Sequence, residues 1–326
     1  HLNRAGNRVD KVHKQTEAGD AHRQCHQYAE AGYLGGVVQF NRGDQQQRFN
    51  VYNNEMLVGA KERMELHNDL HKVFSNNELA LVYQPKIEIK TGRIISAEAL
   101  VRWNHPIKGL ISPDQFVYLA EESGLILDIG DWCIAEACRQ LTCWEQSGVS
   151  PLTVAVNLSP RQFSDYALPQ RLHALQTKYP TQHASLELEV TESTLLDDSA
   201  RAIQMMQQIS ALGIEFAMDD FGTGYASFDY LKRYPFSTLK IDRSFIINLC
   251  NSKREYAIVK SMIKMARQLD LAVVAEGVEE QNQVDALTEL GCDYIQGFFY
   301  SRPVAADAFE QLLREQPFSK PSHQHV

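Results

Sequence analysis

The segment "IEFAMDDFGTGYASF" (Ile214–Phe228) carries two adjacent carboxylates at the end of an apolar run. Asp219 and Asp220 are followed closely by Gly222 and Gly224. Because neighbouring residues of a strand point to opposite faces, the two acids cannot share one site if the strand continues. We therefore expect Asp219 to end the strand and Asp220 to begin a turn, for which the glycines supply backbone freedom. The acids could then serve two metal ions about 3.5–4 Å apart, although a helix N-terminus with a glycine turn would explain the segment alone.

Polar side chains recur on one face of other apolar segments, close to where each segment ends. In "LELEV", Glu187 and Glu189 alternate with apolar residues, and in "TLKID" Lys240 lies between the apolar residues Leu239 and Ile241. The side chains that share this face and this end are Glu98, Asn157, Glu189, Asp219, Lys240, Glu276 and Gln296. Carboxylates that converge in one cavity repel each other unless cations neutralise them. Oxygen ligands without a set of His or Cys residues favour Mg²⁺ or Mn²⁺ over zinc.

The elements that must position these side chains alternate between strands and helices from about Leu79 to Leu313. The predicted strands are "LALVYQP", "RIISAEALVRW", "LTVAVNLS", "SLELEVTE", "IEFAMDD", "STLKID", "LAVVAEGV" and "DYIQGFF". The predicted helices include residues 131–147, 160–178, 197–212, 254–269 and 279–290. This alternation indicates the α/β class and a (β/α)₈ TIM-like barrel, with the polar set at the carboxyl ends of its strands. An open doubly wound sheet is the alternative, but no Gly-rich phosphate fingerprint follows the first strand.

Composition limits the classes of function that the chain can have. A net charge of −9 over 326 residues argues against a surface that holds a nucleic acid polymer by bulk electrostatics. The six cysteines form no C-x-x-C pair, which indicates buried free thiols in a reducing cytoplasm. No apolar run approaches the roughly 18 residues of a membrane span. The chain begins with His1 rather than Met, so we expect it to be a piece of a longer protein.

The two ends of the chain differ in composition from the predicted barrel. Residues 1–50 are polar, with a possible helix at Ala21–Ala31 and a short strand in "GGVVQF", too little to bury a core. The four predicted regions are an N-terminal tail or linker at 1–50, a connecting helix at 51–76, the barrel at 77–316 and a disordered tail at 317–326.

Eight motifs, in order, resemble those of the EAL-domain cyclic di-GMP phosphodiesterases. They are "YQP" (83–85), "EALVRWNHP" (98–106), "VNLSPRQF" (156–163), "EVTE" (189–192), "DDFGTGYAS" (219–227), "LKID" (239–242), "AEGVE" (275–279) and "QGFFYSRP" (296–303). The tripeptide "EAL" is trivial, but the ordered set, from roughly Leu79 to Phe309, is highly specific. The resemblance implies a TIM-like barrel whose first strand runs antiparallel. It also implies hydrolysis of cyclic di-GMP to linear pGpG by a water that two Mg²⁺ or Mn²⁺ ions activate.

The resemblance also implies roles for individual residues. The implied metal ligands are Glu98, Asn157, Glu189, Asp219, Asp220 and Glu276. The implied catalytic residues are Lys240, which hydrogen-bonds the attacking water, together with Glu98 and Glu276, the latter as ligand or base. The implied substrate contacts are Gln84, Arg102 and Gln296, and the implied loop-stabilising residues are Thr191, Glu192 and Glu279. We further expect inhibition by Ca²⁺, because its larger and looser coordination shell misplaces the water.

Departures from the family pattern are mild and concern no metal ligand. Ser237 replaces an Asp that often precedes "LKID", and Ala226 replaces a common Ser in the glycine loop. The N-terminal segment "AHRQCHQYAEAG" is similar to the tail of a GGDEF cyclase domain but lacks the GGDEF signature, so we expect no cyclase activity. The family resemblance implies a homodimer through the barrel. It also implies sensory or GGDEF domains upstream in a full-length protein that could be membrane-anchored, with this part in the cytoplasm.

Two alternative functions belong to other classes. A catalytically silent receptor would bind cyclic di-GMP and signal to a partner, but such receptors usually lack some of the ligands that this chain keeps. An aldolase-type barrel would use Lys240 as a Schiff-base amine. That second alternative is disfavoured because the surrounding acids would hold Lys240 protonated.

Overall fold

The computed structural model describes residues 38–40, 49–51, 54–149, 152–195, 200–223 and 228–319, and these fall into two units. The first unit, His1–Leu70, contains the antiparallel strands β1 (Val38–Phe40) and β2 (Phe49–Val51) and the helix α1 (Asn54–Leu70). The predicted helix at Ala21–Ala31 lies outside the described residues, as does the predicted tail from residue 320 onward. The identification of residues 1–50 with a cyclase tail stays a prediction.

The second unit, His71–Val326, is a closed barrel of eight strands surrounded by helices. The barrel strands are β3 (Leu79–Glu88), β4 (Ile94–His105), β6 (Leu152–Asn157), β7 (Ala184–Thr191), β8 (Glu215–Phe221), β9 (Thr238–Ile241), β10 (Ala272–Ala275) and β11 (Tyr294–Ile295). The short strand β5 (Gly109–Ile111) extends the sheet beside β4. Each predicted strand segment contributes one barrel strand.

Helices connect most of the barrel strands. They are α2 (Pro113–Ser123), α3 (Ile126–Gln146), α4 (Pro160–Phe163), α5 (Leu168–Lys178), α6 (Ala200–Ser210), α7 (Phe228–Arg233), α8 (Arg243–Ile246), α9 (Lys253–Gln268), α10 (Gln281–Leu290) and α11 (Ala306–Glu315). A 3₁₀ turn, Glu192–Leu195, follows β7. The predicted helix at 160–178 is in fact two helices, α4 and α5, separated by a turn. None of the helices in the described part of the chain has the length and apolar character needed to cross a bilayer.

The direction of the first barrel strand differs from that of the other seven. β3 is antiparallel to both of its neighbours, β4 and β11, and its pairing with β4 closes the barrel. The remaining pairs between barrel strands are parallel. The TIM-like barrel and its antiparallel first strand are therefore confirmed, and the open doubly wound sheet was wrong.

The alternation of side chains along each strand separates an apolar outer face from a polar interior. On β7, Leu186, Leu188 and Val190 are buried on one face. On the other face, Glu187 is hydrogen-bonded to Thr238, two strands away, which is possible only across the inside of the barrel. The interior is thus lined by the small or polar set that the parity of the sequence predicts.

Aromatic packing secures the outer face of β3. The ring of Tyr83 lies 4.8 Å from that of Trp144 on α3 and 5.9 Å from that of Phe309 on α11. The rings of Trp144 and Phe309 are 5.2 Å apart, and all three side chains are fully buried or nearly so. Because Tyr83 points outward, the next residue, Gln84, points into the barrel.

The described cysteines carry no disulfide. Cys133, Cys138, Cys143, Cys250 and Cys292 are free thiols, as predicted, and Cys25 lies outside the described residues. The prediction that the thiols are buried holds for Cys133, Cys138 and Cys292 but was wrong for Cys143 and Cys250, which are exposed. Burial raises the pKa of Cys133 and Cys292 to about 12, so these two thiols are unreactive near neutral pH.

The turn that leaves β11 admits no side chain at Gly297, and this yields a stability prediction. A Cβ at Gly297 would lie 2.0 Å from the carbonyl oxygen and 2.4 Å from the nitrogen of Val278, both backbone atoms. We expect Gly297→Ala to lower the free energy of unfolding by about 3 kcal/mol, because the backbone must shift. The control is Gly148→Ala, where φ is +79° and no atom lies within 4 Å, so that only the left-handed conformation costs, about 1 kcal/mol. Urea denaturation measures both, and equal losses would contradict the clash.

Candidate active site

The centre of the site is the ammonium group of Lys240, on β9, which is shared by carboxylates from four segments. Its Nζ lies 2.7 Å from Glu189 Oε2, 2.7 Å from Glu276 Oε1 and 3.0 Å from Asp219 Oδ1. A longer ion pair of 3.7 Å joins it to Glu98 Oε2. The Lys240 side chain is only 1% exposed, so these charges interact with little screening by water.

These charges determine the protonation of the lysine. Burial lowers the pKa of Lys240, but the negative charges of Asp219, Glu189 and Glu276 outweigh this effect and raise it well above its ordinary value. The lysine is therefore a permanent cation and hydrogen-bond donor near neutral pH. An aldolase-type mechanism, which needs a neutral amine, does not fit this geometry.

The carboxylates outnumber the cation that they surround. Burial raises the pKa of Glu276 to about 8, against the opposing charge of Lys240. Burial likewise raises the pKa of Glu98 and of Asp219, and their acidic neighbours add to the effect. One ammonium cannot neutralise this group of acids, so the site has the electrostatics of a place where further positive charge binds.

The adjacent aspartates reach one site because β8 has an irregularity at Asp220, whereas the sequence predicts that the strand ends at Asp219. β8 does not end at Asp219 but continues to Phe221, and its pairing with β9 skips from Met218 to Phe221. Asp220 lies at this irregularity with a φ of +53°, in the left-handed region. Asp220 itself therefore makes part of the turn, in a conformation that Asp and Asn tolerate better than most residues. Gly222 follows with a φ of +97°, so glycine freedom is used at that position as expected, and Gly224 lies outside the described residues.

The turn at Asp220 creates a group of oxygens that fits a metal ion. One carboxylate oxygen each from Asp219, Asp220 and Glu276 lies within 4.8 Å of the other two. The Asp220 N–H donates to Asp219 Oδ1 at 3.0 Å, which fixes the relation between the two acids. Carboxylate donors without nitrogen or sulfur suit hard divalent cations.

Amide side chains hold the carboxylate of Glu98 on the opposite wall. Asn157 Nδ2 donates to Glu98 Oε1 at 2.8 Å, and Gln296 Nε2 donates to Glu98 Oε2 at 2.6 Å. Gln296 also donates to Gln84 Oε1 at 3.1 Å, and Gln84 donates to the carbonyl of Ser301 at 3.2 Å. The sequence-predicted residues of the cavity therefore form one connected network around Lys240.

Two cavities flank this network. A smaller one, about 210 Å³, is lined by polar residues that include Gln84 and Glu276, and by Arg243 and Phe298. A larger one, about 630 Å³, reaches from Asn157 and Asp220 toward α2 and α3 and is mostly apolar. The acids lie between a polar cavity and a mostly apolar one, so a ligand that contacts them would extend into both.

The predicted loop-stabilising residues take different positions. Glu192 is buried and its Oε1 accepts the N–H of Gly222 at 2.7 Å, so it holds the segment that follows the two aspartates. Thr191 Oγ1 and Thr194 Oγ1 lie 3.0 Å apart within the same turn. Glu279 accepts instead from Arg243 Nη2 at 2.8 Å, near the smaller cavity. Residues 224–227, with Ala226, lie outside the described residues.

Arg102 is not drawn into the acidic network. Its guanidinium donates to the carbonyl of Val101 at 2.8 Å, and the side chain is partly exposed. Burial lowers the pKa of Arg102, and the negative charges of Glu98 and Asp114 oppose this effect.

Two charged residues of the site were missed at the sequence level. Lys86, on β3, is fully buried and donates to Glu187 Oε2 at 2.9 Å and to Glu189 Oε1 at 2.8 Å. Its parity with Gln84, two residues earlier, was the signal that could have found it. Arg243 follows "LKID" directly and lines the smaller cavity, but no periodic pattern distinguishes it from a surface arginine.

Comparison with known families identifies most of the chain. The family model described as "EAL domain" matches residues 67–303. This range includes all eight barrel strands and every residue of the network around Lys240.

Individual relatives carry the same domain. The bifunctional diguanylate cyclase/cyclic di-GMP phosphodiesterase MucR of Pseudomonas aeruginosa is 44% identical over 262 residues, which cover 80% of this chain and 38% of MucR. The cyclic di-GMP phosphodiesterase PdeR of Escherichia coli is 38% identical over 267 residues, 82% of this chain and 40% of PdeR. This chain thus spans well under half the length of these relatives.

A solved structure gives the same result. The structure described as "PaMucR Phosphodiesterase, c-di-GMP complex" is 44% identical in sequence, with a TM-score of 0.72 over 75% of this chain and 99% of that one. The match confirms the barrel as the shared fold.

The charge balance around Lys240 yields a prediction that is independent of turnover. With divalent cations removed by a chelator, Lys240→Met should lower the free energy of unfolding by about 3–5 kcal/mol, because it leaves buried carboxylates without their counter-charge. Excess Mg²⁺ should restore part of the loss. The control is Lys264→Met, an exposed lysine on α9, with an expected change within about 0.5 kcal/mol. A Lys240→Met chain as stable as the parent in chelator would contradict the central role of this ammonium.

Proposed function

The chain belongs to the EAL domain family, and on this premise we propose that it hydrolyses cyclic di-GMP to linear pGpG with Mg²⁺ or Mn²⁺. The observation that carries the proposal is the ring of carboxylates around Lys240 at one end of the closed barrel. Relatives named cyclic di-GMP phosphodiesterases support it, as does the likeness to a phosphodiesterase solved in complex with c-di-GMP.

The proposed metal ligands are all oxygen donors. They are Glu98, Asn157, Glu189, Asp219, Asp220 and Glu276. The chemistry that two divalent cations supply when bound there is Lewis-acid stabilisation of the charge on the phosphate and a lowered pKa of the attacking water. The excess of carboxylates over ammonium groups and the close approach of three carboxylate oxygens support this assignment.

The residues of the chain divide the remaining work. Lys240 has a raised pKa and keeps its proton, so it acts as a donor that orients the attacking water and stabilises negative charge, not as a base. Glu98 is held on both oxygens by amide donors, which orients it toward the site. In the metal-free site burial raises the pKa of Glu276 to about 8, close to the working pH of a general base, and a bound cation would favour the ionised carboxylate that serves as its ligand.

The substrate would lie across the acids with its bases in the two flanking cavities. We assign Gln84 and Gln296 to contacts in the smaller cavity and Arg102 to a phosphate, in keeping with the bidentate geometry of guanidinium groups. Glu192, Thr191 and Glu279 would hold the surrounding loops in place. The chain has a net charge of −9, so a dianionic ligand needs local positive charge to bind. Arg102, Lys240 and the metal ions would supply it.

The setting of the domain in its full-length protein stays at the level of prediction. A homodimer through the barrel, upstream sensory or GGDEF domains, and a cytoplasmic location follow from the family resemblance alone.

The first test is direct turnover. Cyclic di-GMP is incubated with the chain and Mg²⁺ or Mn²⁺, and pGpG is followed by chromatography. Tight binding without turnover under either ion would replace the enzyme by a silent receptor.

A substitution at Asp220 separates catalysis from binding. Asp220→Asn should lower kcat by at least about 100-fold, because even the outer partners of metal ligands contribute about 10- to 100-fold, and it should leave the Kd for cyclic di-GMP within a fewfold. The matched control is Asp128→Asn, at an exposed aspartate of α3, which should leave both quantities unchanged. Equal losses of turnover and binding in Asp220→Asn would argue against its role at a second metal.

The identity of the cation yields a further prediction. Replacing Mg²⁺ by Ca²⁺ should abolish turnover, and adding Ca²⁺ to the Mg²⁺-loaded chain should inhibit it, because Ca²⁺ prefers longer bonds and more ligands. Turnover rates in each ion decide the matter, and robust activity with Ca²⁺ alone would contradict the assignment.

A further inference from the structure

A second buried lysine lies beneath the proposed metal site and has no role in the reaction as described so far. The side chain of Lys86 is 2% exposed, and its Nζ bridges two acids of β7. It lies 2.9 Å from Glu187 Oε2 and 2.8 Å from Glu189 Oε1. Neither cavity beside the site is lined by Lys86.

Two ammonium groups hold the carboxylate of Glu189 between them. Lys86 binds Oε1 at 2.8 Å, and Lys240 binds Oε2 at 2.7 Å. The terminal torsion of a glutamate is otherwise broad and roughly two-fold, so a carboxylate held on one oxygen can still turn. With both oxygens held, the plane of this carboxylate is determined, and each oxygen keeps a lone pair for a cation.

Lys86 is itself held in place from below. Glu187 Oε2 accepts from Lys86, and Glu187 Oε1 accepts from Thr238 Oγ1 at 2.9 Å. Lys86, Glu187 and Thr238 therefore form an inner layer of the barrel, whose two charges cancel.

Stability alone does not account for this layer. Replacing a buried ion pair by apolar residues of similar volume is often neutral or stabilising, whereas removing one partner is costly. Among the hydrogen bonds of the described residues, the layer meets the proposed metal site at Glu189 Oε1, which accepts from Lys86.

We propose that Lys86 is a positioning residue of the metal site: it fixes the orientation of the Glu189 carboxylate toward the cation. The inference rests on the proposed function for the identity of the cation. It adds that metal binding also depends on Lys86, a residue that contacts neither the substrate nor the metal.

The test removes the inner layer without leaving a charge unpaired. In the double variant Lys86→Met with Glu187→Met, apolar side chains of similar length replace the pair. Binding of Mn²⁺ to metal-free protein is titrated by the loss of the free-ion signal in electron paramagnetic resonance. We expect affinity for Mn²⁺ to fall about 10- to 100-fold, with a melting temperature close to that of the parent. At saturating Mn²⁺ we expect the kcat of the double variant to be lower than that of the parent and its KM for cyclic di-GMP to be unchanged.

Two further variants make the result specific to Lys86. Glu187→Gln keeps the contact between Lys86 and Glu189, so we expect Mn²⁺ affinity within about threefold of the parent. Lys90→Met, at an exposed lysine four residues away, should change neither Mn²⁺ affinity nor turnover. A Glu187→Gln chain that loses Mn²⁺ affinity as strongly as the double variant would overturn the role of Lys86.

The principal outcome against the proposal is a folded double variant that binds Mn²⁺ as tightly as the parent. If the double variant does not fold, Lys86→Gln with Glu187→Gln takes its place, because it keeps polar groups at both positions and leaves no buried charge unpaired. Parental affinity for Mn²⁺ in that chain, with a Glu189 carboxylate that NMR shows to be mobile, would overturn the proposal equally. A parent that binds Mn²⁺ but leaves cyclic di-GMP intact would overturn the proposed function, while the Mn²⁺ titrations would still decide the role of Lys86.

Discussion

The structure depends on one electrostatic constraint: several carboxylates must lie close together inside a barrel that excludes most water. Such a group is tolerated only where positive charge is fixed among the acids, and Lys240 supplies it from the middle of β9. The closed ring of strands is what makes the arrangement possible, because each parallel strand delivers one side chain to the same end. The outer helices and the buried aromatic side chains around Tyr83 pack against the closed sheet from outside and stabilise it.

Much of this arrangement was predictable because strand parity is a strict period of two. Once Glu189 and Lys240 were placed on inward faces, the same rule placed Glu98 and Gln296, and the structure joins them in one network. The sequence does not predict Lys86 as a site residue, because Pro85 is typical of a strand end, whereas β3 continues to Glu88. A proline can be accommodated in a strand whose neighbours do not need its N–H, and sequence pattern alone does not show this.

Other features depend on backbone geometry that residue type only weakly specifies. The turn between the two aspartates rests on a positive φ at Asp220, a conformation uncommon outside glycine. The direction of β3 likewise depends on the short connection to β4, in which Gly92 has a φ of +71°. The sequence "KTGR" between two apolar segments is a hairpin signal that could have predicted this reversal without the family resemblance.

The reversal of β3 decides which of its residues can be deep in the barrel. Along a strand that runs toward the site, the residue two positions after a site residue would emerge at the rim and meet water. Because β3 runs the other way, Gln84 pairs with Glu98 at the level of the site, while Lys86 pairs with Ser96 one layer below. The reversed direction of β3 therefore buries position 86, which would otherwise be exposed to solvent. Lys86 can then contact the Glu187 and Glu189 carboxylates from inside the barrel instead of contacting a ligand above them.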